Sequence, residues 1–181
     1  MATKNIVLKM GDVTDSVVDA IVNAGNTWLK LGSGVSGAIN QKGGPRIQQE
    51  LDAIRDSLEN KRLAQGDVVV TSAGNLRCRY IIHPAVVGPE QVNENSLRTA
   101  IRNCLRQANA LKCQSLAFPA IGTGVGRFPI TECASVMIDE VILYLQGEVS
   151  LRGVMFVLFK EEDLKAFEDV LKTRDVQYRK I

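Results

Sequence analysis

Short apolar runs alternate with helix-patterned segments along this chain, and that alternation limits its fold more than any other feature. Segments 6–8, 20–22, 68–70, 80–82, 115–118 and 154–159 read as strands. Ala20-Ile21-Val22 is apolar throughout, as expected of a strand covered on both faces. The last of these runs is rich in β-branched and aromatic residues. Helices are expected over 35–41, 45–64, 94–111, 130–146 and 161–173. In the second, Ile47, Leu51, Ile54 and Leu58 recur at helical spacing, and Pro45 suits a first helical position. The acidic Glu161-Glu162-Asp163 suits the positive end of the last helix. Strands that alternate with helices require crossover connections. The expected fold is therefore α/β: a three-layer α/β/α sandwich around a mixed, mostly parallel sheet. The 181 residues fit one domain, with a core over 5–172 and no internal repeat or linker.

Charge and cysteine content narrow the function classes. The net charge is +2, so no long-range field favours nucleic acid or an anionic membrane, and neither is an expected partner. No stretch approaches the roughly 20 apolar residues of a membrane span. Cys78, Cys104, Cys113 and Cys133 are scattered, which suggests reduced structural thiols in a cytoplasmic or nuclear setting. His83 is the only histidine, which excludes a histidine-based zinc cluster; no metal and no cofactor are expected. It ends an apolar run and reads as a packed side chain rather than a catalyst.

Two glycine-rich segments carry the chemistry. Gly32-Ser33-Gly34-Val35-Ser36-Gly37 and Gly122-Thr123-Gly124-Val125-Gly126 each follow a strand and precede a helix. Glycines let backbone N–H groups approach a phosphate closely, and the helix that follows adds its positive end. Two such loops on one crevice could grip a diphosphate from both sides. The first matches G-x-G-x-x-G, the dinucleotide fingerprint, but its context does not fit. Eight residues separate Asn23, where the strand ends, from Gly32, whereas the fingerprint needs an immediate tight turn. Asp52 and Asp56 lie in a helical pattern, so the acidic residue that would close a second strand is missing as well.

Gly11-Asp12-Val13-Thr14, then Asp19 to Asn26, then Gly32 to Ile39, resemble the opening signature of macrodomains. Ala117 to Gly124 resembles the family's second phosphate loop. The segments occur in family order, and the resemblance spans roughly residues 5 to 172. It implies ADP-ribose as a bound ligand. Asp12, with Val13 beside it, would accept a hydrogen bond from the adenine amino group; a turn cap is the other reading of that carboxylate. Phe159 would stack on adenine, or belong to the core. Asn26 would meet the distal ribose, and Asn23 would hold the strand-to-loop geometry. Ser33, Gly34, Val35 and Ser36 would face the diphosphate from one side, and Gly122, Thr123, Gly124, Val125 and Gly126 from the other.

The chain also departs from the family's hydrolases. MacroD-type enzymes carry an Asp where Ser36 stands, and a serine has no comparable basicity at neutral pH. Gly126-Arg127 replaces an aromatic that often closes over the distal ribose. The adjacent glutamates of poly-ADP-ribose glycohydrolases and the second-loop Asp of a further hydrolase class are absent. The resemblance therefore implies a monomeric module that reads mono-ADP-ribosylated proteins, with similarity to macrodomains carried in tandem by mono-ADP-ribosyltransferases. Such a module could be one piece of a multidomain protein. The competing expectation is hydrolysis of ADP-ribosyl esters on Asp or Glu, or of O-acetyl-ADP-ribose.

Overall fold

The computed structural model describes residues 5–147 and 149–181. The strands are β1 (Asn5–Met10), β2 (Ala20–Val22), β3 (Val68–Ser72), β4 (Tyr80–Pro84), β5 (Ser115–Phe118), β6 (Gly153–Leu158) and β7 (Tyr178–Lys180). The helices are α1 (Gly34–Gly43), α2 (Pro45–Ser57), α3 (Glu94–Ala110), α4 (Ile130–Leu145) and α5 (Glu161–Lys172). The sheet order is β3-β4-β2-β5-β6-β1-β7. Every pairing is parallel except β3 with β4. Among the described residues, no helix is long and apolar enough to cross a membrane.

The period-two rule of strands divides the core between the two faces. Ala20 and Val22 of β2, Leu116 and Phe118 of β5, and Val154 and Phe156 of β6 pack with the apolar sides of α3, α4 and α5. Ile21, Ala117 and Val157 point to the other face, where Ile39 of α1 and Leu51 of α2 cover them. Burying a Leu, Ile or Phe of this kind stabilises by roughly 1.5–3 kcal/mol. Phe156 joins Phe118 and Phe167 in one aromatic row, with ring centroids 6.2 and 5.1 Å apart. The three-layer sandwich expected from the sequence is the fold observed.

Two boundaries differ from expectation by more than two residues. Helix α2 ends at Ser57, not near Ala64. Glu59 to Arg62 offer no apolar residue to hold another turn, and the N–H of Leu63 donates to the Thr27 carbonyl at 2.8 Å instead. The sheet also extends past the expected limit at 172, because β7 pairs with β1. A three-residue edge strand of Tyr-Arg-Lys has no apolar alternation to reveal it. All four cysteines are unpaired, and Cys104, Cys113 and Cys133 are buried.

Candidate functional site

Parallel strands open their ligand crevices at their carboxyl ends. Here the ends of β1, β2, β5 and β6 surround one cleft of about 410 Å³. The chain leaving β1 turns at Gly11, whose N–H donates to the Leu158 carbonyl at 2.9 Å. Asp12 follows and caps the short 3-10 turn Val13–Asp15. Its carboxylate accepts from the Thr14 N–H at 2.9 Å and from the Thr14 hydroxyl at 2.6 Å. Lys42 of α1 pairs with it at 3.1 Å. Burial opposes ionisation of this carboxyl, but the bonds from Thr14 and Lys42 outweigh burial and hold its pKa below the usual value.

Both readings of Asp12 are thus realised, since it caps a turn and also lines the cleft. Two costs follow for Asp12→Ala. Loss of an N-cap should remove about 1 kcal/mol of stability. Loss of a charged acceptor should weaken ADP-ribose binding by about 1.5–3 kcal/mol. Thermal melts and calorimetry separate the two. Unchanged affinity would leave Asp12 as a turn residue alone.

Phe159 lies just past β6 and is 74% exposed, so it is not a core residue. It lines the same end of the cleft as Leu158, and a bare ring there is available to stack on a planar group.

Helix α1 supplies one wall. Its cap, Ser33, makes no side-chain bond, and Gly34 follows at φ 58°. The first-turn amides of Gly34, Val35 and Ser36 therefore have no capping acceptor from Ser33 and no helical one. The opposite wall is the loop after β5. Gly122 at φ 83° starts it, and the N–H groups of Arg127 and Phe128 close it onto the Gly124 and Gly122 carbonyls, each at 3.0 Å. Among the described residues, no protein acceptor takes the amides of Gly124, Val125 and Gly126. Gly34 and Val35 on one wall and Gly124, Val125 and Gly126 on the other carry these free donors and line one crevice, as an anion site requires.

Gly126 also explains the missing aromatic. A Cβ there would stand 2.5 Å from the Gly122 carbonyl oxygen, so this loop admits no side chain at that position.

Eleven of the residues singled out from the sequence line the cleft: Asp12, Val13, Ser33, Gly34, Val35, Phe159 and the five from Gly122 to Gly126. Asn23, Asn26 and Ser36 do not line it. Asn26 folds its side chain onto its own loop, donating to the Lys30 carbonyl at 2.8 Å and accepting from the Trp28 N–H at 3.1 Å.

Asn23 and Ser36 belong to a buried polar row behind the wall. The Ser36 hydroxyl lies 2.9 Å from Asn23 Oδ1 and 3.1 Å from the Ala24 carbonyl. Asn23 Nδ2 lies 3.2 Å from His83 Nδ1, and His83 Nε2 lies 2.9 Å from the Thr71 hydroxyl. Thr71 in turn donates to the Ser72 carbonyl. One proton arrangement satisfies every member: Ser36 to Asn23 to His83 to Thr71, with the imidazole proton on Nε2. The row ties the first turn of α1 to β2, β4 and β3.

Other lining residues, such as Ala38, Val87 and Asp163, were not singled out from the sequence. Ala38 is one turn along α1 from Gly34, a spacing that could have pointed to it. Val87 and Asp163 reach the cleft only through the packing of distant elements.

The comparisons with known proteins follow this geometry. The family model of the Macro domain matches residues 22–137. A macro domain-containing protein of Caldanaerobacter subterraneus is 37% identical over 95% of this chain and 98% of its own length. An O-acetyl-ADP-ribose deacetylase of Enterobacter is 36% identical, covering 91% of this chain and 92% of its own. Among solved structures, a mutant Oceanobacillus iheyensis macrodomain with ADPR superposes with a TM-score of 0.85 at 35% identity, over 92% of this chain and 91% of that one. The Trypanosoma brucei macrodomain in complex with ADP-ribose gives 0.83 at 30% identity, over 92% of this chain and 69% of that one. Fold, strand-end cleft and matched sequence agree: this chain belongs to the macrodomain family.

Proposed function

We propose that this protein binds ADP-ribose and serves as a module that recognises mono-ADP-ribosylated proteins in the cytoplasm or nucleus. The observation that carries the reading is one cleft lined by residues with free backbone donors on two walls and by Asp12 and Phe159. ADP-ribose matches that order of chemistry, with a base, a diphosphate and a second ribose in line. It is a ligand here, not a cofactor, and the module acts as a monomer. The T. brucei and O. iheyensis relatives, solved with ADP-ribose or ADP, support the same ligand.

ADP-ribose is expected to bind with micromolar affinity, about −8 kcal/mol. AMP should bind more weakly, because it lacks the diphosphate and distal ribose that meet the loops. Equal affinities by calorimetry would sink this reading.

Ester hydrolysis is the second reading, favoured by the identity to the Enterobacter deacetylase. Against it stands Ser36, which is 4% exposed and faces Asn23 rather than the cleft. Incubation with an automodified transferase tests both readings, through retained binding and released ADP-ribose.

A further inference from the structure

The cleft contains a second carboxylate that the ligand reading leaves unused. Asp163 sits in the first turn of α5, four residues after Phe159, and lines the cleft beside that ring and the loop from Gly122 to Gly126. Asp163 therefore shares one cleft with the ring that would hold the base and the amides that would hold the diphosphate. In any nucleoside diphosphate the ribose joins those two parts, so the sugar must lie within the cleft that this carboxylate lines.

Among the described residues the carboxylate makes no hydrogen bond or ion pair; Lys160, one residue past Phe159, bonds Glu162 and reaches Asp163 only through its charge. Partial burial raises its pKa. An acceptor that has lost part of its hydration, in a cleft built for an anion, needs neutral donors from the ligand. A ribose diol offers two.

Resting on the ADP-ribose reading, we propose that Asp163 is a specificity-determining residue. Its carboxylate accepts from the 2′ and 3′ hydroxyls of the ribose next to the base, so the cleft rejects nucleotides phosphorylated at that diol. A phosphate there would remove a donor and bring two negative charges against a third.

Calorimetry with ADP-ribose and 2′-phospho-ADP-ribose tests this on the wild type and Asp163→Asn. The wild type should bind the phosphorylated ligand at least about tenfold more weakly, and Asp163→Asn should narrow that ratio to about threefold while binding ADP-ribose somewhat less well. Asp163→Ser repeats the comparison with a side chain that suits a helix start, and melting of both unliganded variants reports their folding. A wild type that binds the two ligands equally overturns the proposal. So does a ratio that neither variant changes, because walls rather than charge would then exclude the phosphate. If the wild type binds neither ligand, the ADP-ribose reading falls and this proposal falls with it.

Discussion

Gly124→Glu is expected to abolish ADP-ribose binding while the protein stays folded. Nothing lies within 4 Å of a Cβ built at Gly124, and Gly124 is not among the glycines with positive φ. The side chain can therefore enter the cleft at little cost to the fold, within about 0.5 kcal/mol as for an ordinary surface change. Its carboxylate would stand where free amides of the loop meet the diphosphate. Two unit charges 4 Å apart repel by about 4 kcal/mol at an effective dielectric constant of 20. That alone is roughly a thousandfold in affinity, since each 1.4 kcal/mol is tenfold. Thermal melting reads the result. Ligand at a hundred times its Kd should stabilise the wild type by about 2.7 kcal/mol, and the variant should show no shift. A full shift in the variant would place the phosphates elsewhere.

Ser36→Asp is expected to destabilise the protein rather than to create a hydrolase. From the sequence, a carboxylate at this position should raise activity if the rest of the site is competent, or cost affinity by repelling the diphosphate. The structure argues otherwise, because Ser36 faces two acceptors, Asn23 Oδ1 and the Ala24 carbonyl, in a buried setting. A carboxylate can donate to neither. Turning the Asn23 amide would offer it a donor but would break the contact with His83. The positive end of α1 returns at most about 1 kcal/mol. The net expectation is a loss of about 2–4 kcal/mol, which lowers the melting temperature by roughly 5–15 °C for a chain of this size. Ser36→Ala, which only removes the donor, should cost about 1 kcal/mol. An unchanged melting temperature together with faster release of ADP-ribose from an ester would show that the new side chain turns outward into the cleft.

The parts of this molecule that could be read from the sequence are those fixed by local chemistry. The apolar run at Ala20-Ile21-Val22 announces a strand covered on both faces, and it is one. The glycines at 34 and 122 announce loops whose backbone N–H groups can approach a phosphate, and both stand on the cleft. What depends on direction or distance could not be read. Phe159 is the same residue whether it packs inside or stands bare, and only the end of β6 decides. Ser36 occupies a helix start suited to touching a ligand, yet Asn23 and Ala24 draw its hydroxyl inward. Asp163 looked like a helix-start charge, because nothing near it in sequence reveals a loop more than thirty residues earlier.

The buried row from Ser36 to Thr71 makes the protein sensitive to acid. Burial drives the His83 imidazole from 6.5 down to about 3. Between those values the unfolded chain takes a proton that the folded chain refuses, so this residue's contribution is complete above pH 6.5 and drains away as the pH falls toward 3. The drain is about 1.4 kcal/mol per pH unit. Asn23 resists the change as well, because a second imidazolium proton on Nδ1 would meet its amide N–H instead of an acceptor. Acid therefore also reaches the wall of the cleft from behind, through β4, at a residue that does not itself line the cleft.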